Sequence, residues 1–88
     1  MPSYTIKRRE RIDKIFRKLV KKNPKQLKII YNKLAQILEN PYEFKPLRSD
    51  MKNYREVHID KHFVLVYSID EQKKAVILID YDHHENIF

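Results

Sequence analysis

An α+β domain, with an N-terminal helical hairpin packed on one face of an antiparallel sheet in the order β-α-α-β-β-β, is the fold class this chain predicts. Two stretches of the first half space their apolar residues as helices do, and three runs rich in Val, Ile and Tyr fill the second half. The 88 residues suffice for one core of two packed layers and no more, so residues 1–88 are read as a single domain. Ser3–Lys7 alternates Tyr4 and Ile6 with polar neighbours, which suits a short strand leading into a helix. From about Arg9 to Lys21, the residues Ile12, Ile15, Phe16, Leu19 and Val20 form an apolar stripe opposite a face of Arg and Lys. Asn23-Pro24 supplies an N-cap and a first-turn proline, and Leu27, Ile30, Tyr31, Leu34, Ile37 and Leu38 continue a second helix until Asn40-Pro41 stops it. Pro41–Lys52 has no periodicity and reads as a loop crossing from helices to sheet. Tyr54–Ile59, Phe63–Ile69 and Ala75–Tyr81 are the three strands of a meander whose second face is left open, with room for a short last strand at Asn86–Phe88.

Composition removes several function classes. Without cysteine there is no disulfide, thiolate metal site or cysteine nucleophile, and without glycine there is no phosphate cradle of the Walker or dinucleotide type. No run reaches the roughly 18 apolar residues of a membrane span, and Met1–Glu10 lacks the apolar segment of a signal peptide. The expectation is a soluble, cytoplasmic protein with no membrane partner. Charge is divided: residues 1–52 hold 15 Lys and Arg against 5 Asp and Glu, whereas residues 53–88 hold 4 against 7. A basic helical half on a small domain favours a polyanion, of which nucleic acid is the commonest.

All four histidines, His58, His62, His83 and His84, fall among the strands, within the last 31 residues. Register decides their neighbours. A two-residue turn at Asp60-Lys61 sets His58 opposite Phe63, and a three-residue turn through His62 sets it opposite Val64. Asp60, Asp80 and Asp82 are conceivable metal ligands, but no HExxH-like spacing is present, and His83-His84 on a strand point to opposite faces. Ser3, Ser49 and Ser68 lack the context of a nucleophilic serine. Cleavage of RNA requires a base for the 2′-hydroxyl proton, an acid for the 5′-oxygen leaving group and positive charge on the transition state. Histidines with lysine or arginine supply all three, and Phe63 and Phe88 are candidates to stack on a base.

The runs Lys45-Pro46-Leu47-Arg48, Tyr54-Arg55-Glu56-Val57-His58-Ile59, His62-Phe63-Val64-Leu65-Val66-Tyr67 and His84-Glu85-Asn86-Ile87-Phe88 resemble the RelE/ParE toxin superfamily. The YafQ-like branch is the most similar. The resemblance implies a fold like that of microbial ribonucleases and a ribosome-dependent messenger RNA endonuclease, the toxin of a toxin–antitoxin pair, using neither metal nor cofactor. His58, His84 and Phe88 match the strand histidine and the terminal histidine and aromatic of the YafQ-like pattern. Lys45 stands where the pattern has a histidine before Pro-Leu, and His62-Phe63 where it has an aspartate and an aromatic. His83 has no counterpart, and Val64 replaces an arginine of the RelE branch. The implied roles are His84 as general acid, His58 or His62 as base, Lys45 and Arg55 as charge stabilisers, and Phe63 and Phe88 against the substrate base. Arg55, beside Glu56, is equally explicable as structural. The implied partners are a RelB/DinJ-like antitoxin, the ribosome with its RNA, and messenger RNA. Two other readings share the fold: a ParE-like toxin that docks on DNA gyrase without chemistry, and a basic nucleic-acid-binding domain with surface histidines.

Overall fold

Period-3.6 patterning in the first half and period-two patterning in the second resolve, in a computed structural model describing residues 4–47 and 53–87, into two helices on a four-stranded sheet. The elements are β1 (Thr5–Arg8), α1 (Glu10–Lys22), α2 (Pro24–Glu39), β2 (Tyr54–His58), β3 (Phe63–Asp70), β4 (Ala75–His83) and a short α3 (His84–Ile87). β2, β3 and β4 form the expected antiparallel meander, and β1 joins the far edge parallel to β4, giving the order β1-β4-β3-β2. The helical hairpin is thus the crossover that returns the chain to the sheet.

Asn23 separates the helices. Its backbone N–H closes α1 on the Leu19 carbonyl, and its side chain accepts the Gln26 N–H at 3.1 Å to cap α2, with Pro24 in the first turn. α1 buries Ile12 and Phe16, and α2 buries Leu27, Ile30, Leu34 and Ile37 against Val57, Leu65, Tyr67, Val76, Leu78 and Tyr81 of the sheet. The buried stripe is narrower than the sequence predicts: Val20 is 58% exposed and Tyr31 is 48% exposed.

Two local features set which side chains reach the other face. The Asp60 carboxylate accepts the N–H groups of His62 at 2.8 Å and Phe63 at 3.0 Å, and this closes the longer turn, so His58 pairs with Val64. In β4 the pairing slips between Val66↔Asp80 and Tyr67↔Leu78, leaving Ile79 as an extra residue. Leu78 faces the helices before this bulge and Tyr81 after it, so Asp80 and Asp82 turn to the opposite face.

The crossing loop is tied down along its described part. The buried Tyr67 hydroxyl donates to the Pro41 carbonyl at 2.7 Å, and burial pushes that phenol up to about 12. Leu47 N–H donates to the Tyr54 carbonyl and Glu56 N–H to the Lys45 carbonyl, so Lys45–Leu47 runs beside β2. At the end of the sheet away from the Asp60 turn, with no glycine in the chain, the β3–β4 turn uses Lys74 at φ 50°. There the Glu71 carboxylate accepts from the Tyr4 and Tyr42 hydroxyls and pairs with Lys74, contacts that hold its carboxyl down at about 2.

Candidate active site

The sheet face turned away from α1 and α2 carries two rows of side chains, His58–Val64–Asp82 and Glu56–Val66–Asp80. β4 ends where α3 begins, and Asp82 marks the junction: its carboxylate accepts from Asn86 Nδ2 at 3.0 Å and from the His83 N–H at 2.7 Å, which hold its carboxyl below the usual range. The last residues are therefore helical, which corrects the strand expected at Asn86–Phe88; Phe88 itself lies outside the described residues. The helical turn brings the His84 ring over His58, with centroids 5.6 Å apart and planes at 25°. His62 lies beside them: its carbonyl accepts the His84 N–H at 2.6 Å, while its own side chain stays exposed on the turn.

Beneath this pair lies Glu56, only 4% exposed. Its Oε1 is 3.7 Å from His58 Nε2 and 3.6 Å from Lys45 Nζ, and its Oε2 has no hydrogen-bond partner among the described residues. A buried carboxylate with one oxygen unanswered is costly to the fold, which marks Glu56 as a candidate for a role other than stability. Lys45 reaches it from the loop with a side chain 74% exposed, so the ammonium also faces solvent. A cleft of about 290 Å³, lined by Leu47, Tyr54, Val66, Ile79, Asp80, Asn86 and Ile87, adjoins the same face. Imidazoles side by side, one backed by a carboxylate, and a lysine that lines a second cleft of about 390 Å³ together with Glu56 and His58 can exchange protons with a bound phosphodiester and answer its charge.

Of the residues singled out from the sequence, His58, His84 and Lys45 are brought together, and His62 contributes its backbone. Arg55 and Phe63 are not brought to this face. Arg55 lies on the other side of β2, where its guanidinium donates to the Phe44 carbonyl at 2.5 Å and packs over the Tyr42 ring; it holds the loop that presents Lys45. Phe63 faces the helices and stacks on Tyr81 at 5.2 Å, because the longer turn gives it the opposite parity to His58.

Sequence reasoning missed Glu56 and Gln26. Glu56 sits two residues before His58 on the same strand, a period-two signal that was there to be read. Gln26 lies 94% buried on the apolar stripe of α2, donating to Asp60 Oδ2 at 2.9 Å and accepting from the Tyr81 hydroxyl. Burial alone would raise the Asp60 carboxyl, but the N–H groups of His62 and Phe63 and the Gln26 amide outweigh it and hold it low. This lock ties α2 to the turn on which His58 and His84 depend. Among the described residues, no group of three or more His, Cys, Asp or Glu is arranged to hold a metal ion.

Residues 4–88 match the family described as YafQ, a bacterial toxin of type II toxin–antitoxin systems. An uncharacterized protein of Methanosarcina mazei is 54% identical over 85 residues, spanning 97% of this chain and 99% of its own length. A Methanocaldococcus jannaschii protein carrying the name RelE4 is 46% identical over 85 residues, spanning 97% of this chain and 90% of its own. Among solved structures, a metal-bound toxin from Helicobacter pylori is 30% identical with a TM-score of 0.72, over 97% of this chain and 99% of that one.

Proposed function

Because the chain belongs to the YafQ family of type II toxin–antitoxin toxins, we propose that it is a ribosome-dependent endoribonuclease that cuts messenger RNA in the ribosomal A site. The observation that carries this reading is the His58–His84 ring pair laid over the buried Glu56 carboxylate, with Lys45 beside it. His58 takes the proton of the 2′-hydroxyl, and Glu56 steadies the imidazolium that results. The 2′-oxygen attacks phosphorus, the bond to the 5′-oxygen breaks, and His84 protonates that oxygen, leaving a cyclic phosphate and a free 5′-hydroxyl. Lys45 answers the added negative charge. His62 serves through the carbonyl that holds α3, and Arg55 through the loop that carries Lys45. Phe88 completes the set as the ring against the substrate base.

The exposed lysines of the hairpin, Lys18, Lys21, Lys22, Lys25 and Lys28, are the surface that meets ribosomal RNA. The same charge calls for an acidic, RelB/DinJ-like antitoxin when the toxin is silent. This reading requires the cytoplasm, and among the described residues no helix is long and apolar enough to cross a membrane. The test is induced expression of the wild type, His58→Ala and His84→Ala, with message 5′ ends mapped against reading frame. In-frame cuts and growth arrest that vanish in both variants are expected; arrest and cutting unchanged in both would overturn the assignment.

A further inference from the structure

A second ring cluster stands on the other side of the same strand end. His83 packs on Phe63 with centroids 4.2 Å apart, and Phe63 packs in turn on Tyr81, so three rings run from a buried floor to an exposed outer edge. Phe63 and Tyr81 line a cleft of about 310 Å³ whose α1 wall supplies Arg11 and Lys18, and His83 stands next to it on the Phe63 ring. Arg11 is delivered there by two carboxylates, with Nη1 3.0 Å from Asp80 and Nη2 3.6 Å from Asp82, yet its side chain is 60% exposed. The guanidinium is therefore reachable from solvent as well as paired. Asp82, which also borders the cleft, is already answered by Arg11 and Asn86.

We propose that this cleft and the His83 ring beside it hold the nucleotide next to the scissile one, its base on the His83 ring and its phosphate toward Arg11 and Lys18. The proposal rests on the reading of the His58–His84 face as the place of RNA cleavage. His83 ends β4 and packs on Phe63, whereas His84 opens α3 and stacks on His58 of the other face. A strand of RNA held at His84 therefore passes over the strand end directly onto the second cluster. Rings beside cations are the pairing that single-stranded nucleic acid presents in return, since every base offers a π-face and every step a phosphate. His83, which has no counterpart in the YafQ-like pattern, becomes a substrate-binding residue on this geometry.

The test compares wild type, His83→Ala and His83→Phe in a translating extract, reading KM and kcat of message cleavage. In a His84→Ala background, the same substitutions are read by the quenching of a 2-aminopurine base next to the cut site of a message loaded on ribosomes. His83→Ala is expected to raise KM about tenfold at constant kcat and abolish the quench, and His83→Phe to restore both. Cleavage by the wild type with KM and quench indifferent to position 83 would overturn the subsite and leave the nuclease reading intact. A quench that depends on the ring, with no cleavage by the wild type, would uphold the subsite and sink the nuclease reading. Loss of antitoxin binding in His83→Ala with RNA contacts unchanged would show a protein partner there instead, and would also overturn the proposal.

Discussion

Replacing Gln26 with leucine and Tyr81 with phenylalanine, singly and together, measures how firmly the lock beneath the catalytic turn is made. The Tyr81 hydroxyl donates to Gln26 Oε1, and both residues are nearly fully buried, at 4% and 6% exposure. Burial, aided by the Asp60 carboxylate, pushes the Tyr81 phenol well above its ordinary range, so it remains a donor wherever the fold persists. Gln26→Leu keeps the volume filled but leaves that hydroxyl without an acceptor, and Tyr81→Phe leaves Oε1 without a donor. A buried polar group left unpaired costs about 1–3 kcal/mol, so each single change is expected to cost about 2 kcal/mol, or ~8–16 °C in Tm for a domain of this size. Gln26→Leu also gives up the bond to Asp60 Oδ2, but that carboxylate is exposed and water replaces the donor. The double variant orphans neither group. It should cost no more than either single change, a coupling of about 2 kcal/mol in the cycle. Urea unfolding at constant m is the assay, and strictly additive losses would refute the lock.

Three other outcomes follow from the same geometry. Glu56→Gln should slow message cleavage about tenfold, roughly 1.4 kcal/mol, while Tm holds or rises, because a buried charge with an unanswered oxygen is removed; a fall in Tm with cleavage intact would contradict its assignment beneath His58. Arg55→Ala should lower stability by about 1–2 kcal/mol through the loss of its bond to the Phe44 carbonyl, and should lower cleavage no further once Lys45→Ala is present, which single- and double-variant kinetics can read. Glu71 is held near 2 in the folded protein, below its unfolded value of about 4.3, so its contribution is full above that value and disappears as pH falls toward 2. Tm curves of wild type and Glu71→Gln should therefore differ at neutral pH and converge over that acid window.

How far the fold could be read from the sequence depended on the range of the interaction that decides each part. The helices and meander strands were legible because their spacing is local. So was the break at Asn23-Pro24, where cap and proline act within three residues. The pairing of β1 with β4 was not, since nothing in Thr5–Arg8 names a partner seventy residues away. The histidines were legible as chemistry, but their grouping was not. Parity along β3 hung on the turn at Asp60, and that turn is held in part by Gln26, 34 residues earlier. The N–H groups that Asp60 gathers decide whether Phe63 or His58 looks toward the open face. Arg55 stood in a run that resembled toxin strands, and only the path of the loop beside β2 reveals that its guanidinium is spent on a carbonyl.

The extra residue at Ile79 gives β4 two phases. Even-numbered residues up to Leu78 face the core and even-numbered residues from Asp80 onward face the open side, because the alternation is interrupted once at Ile79. Loss of that single residue would invert everything downstream of it, driving Asp80 and Asp82 under the helices, releasing Arg11 and turning Tyr81 away from Gln26. Substitution at positions 80, 82 and 84 can therefore alter the chemistry of the open face without disturbing the core, whereas a change in the length of β4 cannot. Residue count, in this strand, constrains function as firmly as residue type.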